Sequence, residues 1–115
     1  DLEAAAERDL LAASRDRLPA DVLKVPHHGS KSSSTPAFLD TVRPSVALVS
    51  GHRRRGVMPP HAHVLERYYR RGIRTWITGD DGAITVDIGP AGGLQVRTRS
   101  SGRVCTGQEP RPRPP

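Results

Sequence analysis

The stretch Val22–Leu39, "VLKVPHHGSKSSSTPAFL", decides how this chain is read. A short apolar run ends at Pro26 and passes directly into two histidines, a glycine and a cluster of hydroxyls. "DVLKV" has the composition of a brief strand, and "STPAFLDTV" that of a helix with Thr35 as N-cap and Pro36 in its first turn. The histidines therefore stand at the carboxyl end of a strand, between it and a helix. Working outward, "DLEAAAERDLLAASRD" carries Leu2, Ala6, Leu10 and Ala13 at helical spacing, with Asp1 placed as its N-cap and Pro19 beyond its end. "SVALVS" is a continuous apolar run suited to a strand buried on both faces of a parallel sheet. "HAHVLERYYRRG" reads as a helix with Val64, Leu65 and Tyr68 inward and Gly72 at its C-terminus. "IRTWIT" and "AITVDI" follow as strands around an Asp80-Asp81-Gly82 turn, and "LQVRT" as an edge strand. Helices alternating with strands specify an α/β fold, in which loops at the carboxyl ends of parallel strands build the site.

Composition sets the outer limits. The 115 residues suffice for one modest core, and the hydrophobic share is only 35%. Part of that deficit falls in "SSGRVCTGQEPRPRPP", which reads as a disordered Pro/Arg-rich tail. The net charge of +6 suits polyanionic partners, although arginine-rich composition alone produces it. One cysteine, Cys105, excludes an internal disulfide and a cysteine metal cluster. No run is long and apolar enough to span a bilayer, and no signal peptide is visible. A first residue of aspartate rather than methionine suggests a fragment.

The candidate chemistry is imidazole and carboxylate. Neutral imidazole is a common ligand of zinc and related metals. In an extended segment His27 and His28 would point opposite ways, one toward a metal and the other into packing. Gly29 permits a tight turn, and Ser30, Ser32, Ser33 and Ser34 offer hydroxyls to orient an imidazole or meet a phosphate. Asp1 serves either as a helix cap or as a carboxylate ligand. His61 opens a helix after a strand, as an exposed first-turn residue or as a proton donor to the same mouth. His52 and His63 read as surface, Trp76 as core, and Arg53, Arg54 and Arg55 as a solvated run beside the mouth.

Taken together, "DLEAAAERDLLA", "LPADVLKVPHHGSKSSSTPAFLDTVRPSVALVSG" and "VLERYYRRGIRTWITGDDGAITV" resemble the end of the metallo-β-lactamase-like domain of DNA-internalisation competence proteins, the ComEC family. The resemblance covers residues 1–88 and leaves 89–115 as an edge strand and tail. It implies the C-terminal half of an αββα sandwich, whose main His-x-His-x-Asp-His metal cluster belongs to an amino-terminal half outside this chain. It matches Asp1 to the family's metal-bridging aspartate, Glu7 to a supporting acid, and His27 and His28 to the motif's His pair, either of which is the ligand. Ser30 and Ser33 match the motif hydroxyls as phosphate contacts or support. Pro60-His61-Ala62-His63-Val64-Leu65 aligns with the family's later His-Pro loop, making His61 the catalytic histidine; another gap placement puts Met58 or Pro59 there. The family's T-D-x-D-G stands here as Thr78-Gly79-Asp80-Asp81-Gly82. The implied function is a metal-dependent hydrolase, a nuclease acting on DNA during uptake, with two divalent ions (Zn or Mn) and no nucleotide cofactor. Its partners would be DNA, an upstream transmembrane channel and the other half of the same domain, in an inner-membrane protein with this domain outside the bilayer. The piece alone would be inactive. The rival readings are a non-catalytic module that guides DNA and a stand-alone metallo-hydrolase of small molecules.

Overall fold

The computed structural model describes residues 1–52 and 58–99, together with the backbone of Val104–Thr106. The elements run α1 (Ala4–Ser14), β1 (Val22–Lys24), α2 (Pro36–Val42), β2 (Val46–Val49), α3 (Ala62–Arg70), β3 (Arg74–Ile77), the single turn α4 (Thr78–Asp81), β4 (Ile84–Ile88), β5 (Leu94–Thr98) and β6 (Val104–Thr106). Strands β1, β2 and β3 form a parallel sheet in that order, pairing Leu23 with Ala47 and Leu48 with Trp76. Strands β4, β5 and β6 form an antiparallel sheet in that order.

The pleat sorts the parallel sheet's side chains onto two faces. Ala47 and Val49 of β2 and Ile77 of β3 join Val25, Phe38, Leu39, Val42, Val64, Leu65 and Tyr68 in a core under the helices. Val46 and Trp76, from the alternate positions, pack with Val96, Ile84, Val86 and Leu94 of the antiparallel sheet. Both faces are thus covered, which is why "SVALVS" is apolar without interruption. The architecture is mixed α/β, layered as helices, parallel sheet and antiparallel sheet.

Two expectations change in detail. Asp1 is not the cap of α1: Glu3 holds that position without a side-chain cap bond. The Ala4 N–H instead donates to Ser32 O at 2.7 Å, so the helix start is satisfied by loop backbone and Asp1 lies ahead of it. Strand β5 is central rather than an edge, because Val104–Thr106, within the stretch read as tail, pairs with it. The rest of that tail lies outside the described residues. Thr35 does cap α2, accepting from Phe38 N, and Gly72 takes φ +69° just past α3.

Candidate functional site at the carboxyl edge of the parallel sheet

The histidine pair does not lie in extended chain. His27 (φ 45°, ψ 43°) and His28 (φ 55°, ψ 15°) are both left-handed, and Gly29 follows at φ 87°. An L-residue in this region is disfavoured by about 1–2 kcal/mol, so the turn carries strain at two successive positions. The consequence for the site is that both rings reach one carboxylate. Asp1 Oδ2 stands 3.7 Å from His27 Nε2 and 3.9 Å from His28 Nε2. His28 Nδ1 lies 2.8 Å from Ser50 O, at the end of β2. A carbonyl only accepts, so Nδ1 carries the proton and a neutral ring leaves the Nε2 lone pair on the Asp1 side. Glu3 Oε1 stands 3.0 Å from His27 Nδ1. It lies off the direction of a hydrogen bond, and that nitrogen is buried without a hydrogen-bond partner.

Ion pairs at this exposure are worth at most about 1 kcal/mol, too little to offset the strain of the turn. The restraint comes from behind, where polar groups are fully buried. Ser33 Oγ shares its proton between Pro26 O (3.0 Å) and Ser30 O (2.9 Å), bracketing the two histidines. Glu7 and Ser33 are each 0% exposed. The Glu7 carboxylate accepts Ser34 N at 2.6 Å and Thr35 N at 2.9 Å. Arg67 Nη1 donates to Ser33 O (3.3 Å) and Ser34 O (3.1 Å), and Ser34 Oγ shares a hydrogen bond with Tyr68 OH at 2.8 Å. Burial pushes the Tyr68 phenol up from its ordinary value despite that bond. Helices α1 and α3 are thereby tied to the serine loop that holds the turn. Ser33 and Glu7 thus lie buried behind the turn, bonded to loop backbone. Ser30 remains near the surface, 3.1 Å from Ser32 Oγ.

His61 occupies the N-cap position of α3, and its backbone N–H donates to Gly29 O at 3.0 Å. A Cβ on Gly29 would meet Pro60 Cβ at 2.8 Å, so the turn and the start of α3 touch directly. A cleft of about 570 Å³ opens beside the histidine pair, lined by His27, His28, Ser50, Gly51, His52, Met58 and Pro59. His61 is not among these residues; its ring centroid lies 5.9 Å from that of His63. His52, read from sequence as surface, is among them. The signal was its place just past β2, at the same sheet edge as the histidine pair. Glu3 is the other residue that sequence reasoning passed over. Arg53, Arg54 and Arg55 lie outside the described residues. Among the described residues, no group of three or more His, Cys, Asp or Glu side chains is arranged to hold a metal ion.

The chain is 36% identical over 84 residues to ComE operon protein 3 of Bacillus subtilis, covering 73% of this chain and 11% of that protein. Its homologues include competence proteins. Competence protein ComA of Neisseria gonorrhoeae is 31% identical over 99 residues, covering 86% of this chain and 14% of the relative. Recombination protein 2 of Haemophilus influenzae is 40% identical over 68 residues, covering 59% and 9% respectively. The chain thus spans roughly a tenth of the length of these relatives. No family model matches it, and no solved structure does.

Proposed function

We propose that this chain is part of a competence protein for DNA uptake, and that it supplies one wall of a metal-dependent site that hydrolyses phosphodiester bonds. The observation that carries the reading is the left-handed turn that brings His27 Nε2 and His28 Nε2 within 3.9 Å of the same Asp1 oxygen. Imidazole nitrogen with carboxylate oxygen is a donor set that zinc and manganese accept. Asp1 and His28 would hold an ion, with His27 alongside; the other ligands would come from the rest of the longer protein. Bound divalent ions supply an activated water and neutralise charge on the scissile phosphate. The chain's own contribution is orientation: Ser50 O sets the His28 tautomer, and the buried Ser33–Glu7 brace keeps both rings in place. His61 stands one hydrogen bond from Gly29, as a candidate proton donor to the leaving oxygen. Alone, the chain should cleave DNA negligibly.

The test uses the full-length protein. His28→Ala should lower bound zinc or manganese and reduce metal-dependent DNA cleavage at least a hundredfold. Metal at background in the wild type, together with cleavage unaffected by the substitution, would remove the proposal. The second reading is a module that guides DNA without cutting it. That reading requires salt-dependent DNA affinity that survives chelation. Among the described residues no helix is long and apolar enough to cross a membrane, so the channel in this proposal would be formed elsewhere in the protein.

A further inference from the structure

His52 enters the cleft on a loop fitted closely to its neighbour. Gly51 N donates to Thr78 Oγ1 at 3.0 Å, and Gly79 N donates to Gly51 O at 2.7 Å. A Cβ at Gly79 would stand 2.6 Å from Gly51 O and 2.6 Å from His52 Cα, and would also strike His52 Nδ1. No side chain fits at position 79 while the loop stays where it is, so Gly79 sets where His52 sits. Among the described residues, the cleft lining includes three imidazoles and no carboxylate. The volume of about 570 Å³ lies within the usual range of ligand sites, roughly 300–1,000 Å³. Asp1 and Glu3 face His27 and His28 at 3.0–3.9 Å, and the His28 N–H is taken by Ser50 O, so the imidazole of this lining left to donate to an anion is that of His52.

We propose that His52 is a further substrate-contacting residue, donating a hydrogen bond to a phosphate of the nucleic acid next to the one held at the His27–His28 turn. The proposal rests on the phosphodiester reading above and adds a binding position to it. His52 is placed by the Gly79 contact rather than by the Ser33–Glu7 brace, so it can be removed without disturbing the histidine pair.

The experiment measures binding of a fluorescein-labelled DNA oligonucleotide to the full-length protein in chelator at fixed low salt, alongside metal-dependent cleavage. His52→Ala should weaken binding roughly tenfold, as expected for one hydrogen bond to a charged group. His52→Gln, which keeps an N–H donor, should recover most of that loss. Gly79→Ala, whose Cβ meets backbone of the His52 loop, should displace that loop and resemble His52→Ala with the imidazole still present, at a lowered unfolding temperature. If Gly79→Ala does not fold, the two His52 variants decide. His63→Ala, at an exposed position outside the cleft lining, should bind as wild type. Wild-type binding by His52→Ala, or an equal loss in His63→Ala, overturns the inference while leaving cleavage by the wild type, and the reading beneath it, intact. Failure of the wild type both to bind and to cleave overturns the two together.

Discussion

Replacing Glu7 should do more damage than replacing any exposed carboxylate of this chain. The Glu7 side chain is fully buried and accepts two backbone N–H groups, Ser34 N at 2.6 Å and Thr35 N at 2.9 Å. In Glu7→Ala both donors stay buried and lose their acceptor, at about 1–3 kcal/mol each. Relaxation of the loop toward water would soften the sum, leaving about 2–4 kcal/mol. Glu7→Gln is the finer probe. Its carbonyl oxygen can serve one donor, but its NH₂ faces the other, so about half of that loss is expected. The single tryptophan, Trp76, is buried between the two sheets and reports unfolding by fluorescence. Urea titration should give midpoints in the order wild type, Gln, Ala, with an unchanged slope. In hydrogen exchange, Ser34 and Thr35 amides should lose protection first. A Glu7→Ala protein within about 1 kcal/mol of wild type would refute the claim that this carboxylate carries the loop. Equal midpoints for Gln and Ala would refute the two-donor account.

Gly29→Ala combines φ +87° with a Cβ 2.8 Å from Pro60 Cβ, so it should cost about 2–3 kcal/mol, measured as a lower midpoint of unfolding. The same substitution should loosen the His28–Ser50 bond, visible as an altered imidazole tautomer ratio by NMR. For Tyr68, burial raises the folded-state pKa above the ordinary value near 10. The stability this provides is complete below about pH 10 and declines as pH rises toward the folded-state value. Tyr68→Phe should flatten that alkaline decline in pH-dependent unfolding, while losing about 1 kcal/mol at neutral pH from the unpaired Ser34 hydroxyl.

The layered α/β arrangement was legible because its signals are periodic. The unbroken apolar run Val46–Val49, the Thr35-Pro36 helix start and the Val64–Leu65–Tyr68 spacing depend on neighbours in sequence. Burial of Trp76 followed from its strand position in the same way. The histidine turn was not legible: "VPHHGS" carries no mark of two left-handed residues, because the conformation is held by the Ser33 hydroxyl later in the same loop, itself fixed by Glu7 and Arg67 from other elements. Asp1 was ambiguous for a related reason. A helix needs a capping side chain only when nothing else takes its first N–H groups, and the Ser32 carbonyl that does so lies 28 positions from Ala4 in the chain. His52 escaped notice because adjacency across parallel strands, which brings Gly51 against Thr78 and Gly79, leaves no local pattern. Glu3 escaped because an acid at a helix start has an ordinary explanation.

The contact between Gly29 and the start of α3 has a consequence for how the chain can vary. Ser50 is bonded to His28, Gly51 to Thr78, and His61 to Gly29. These contacts moor the histidine turn to the loops beside it. A one-residue slip of Pro60 against Gly29 would dislodge the turn even with every histidine retained.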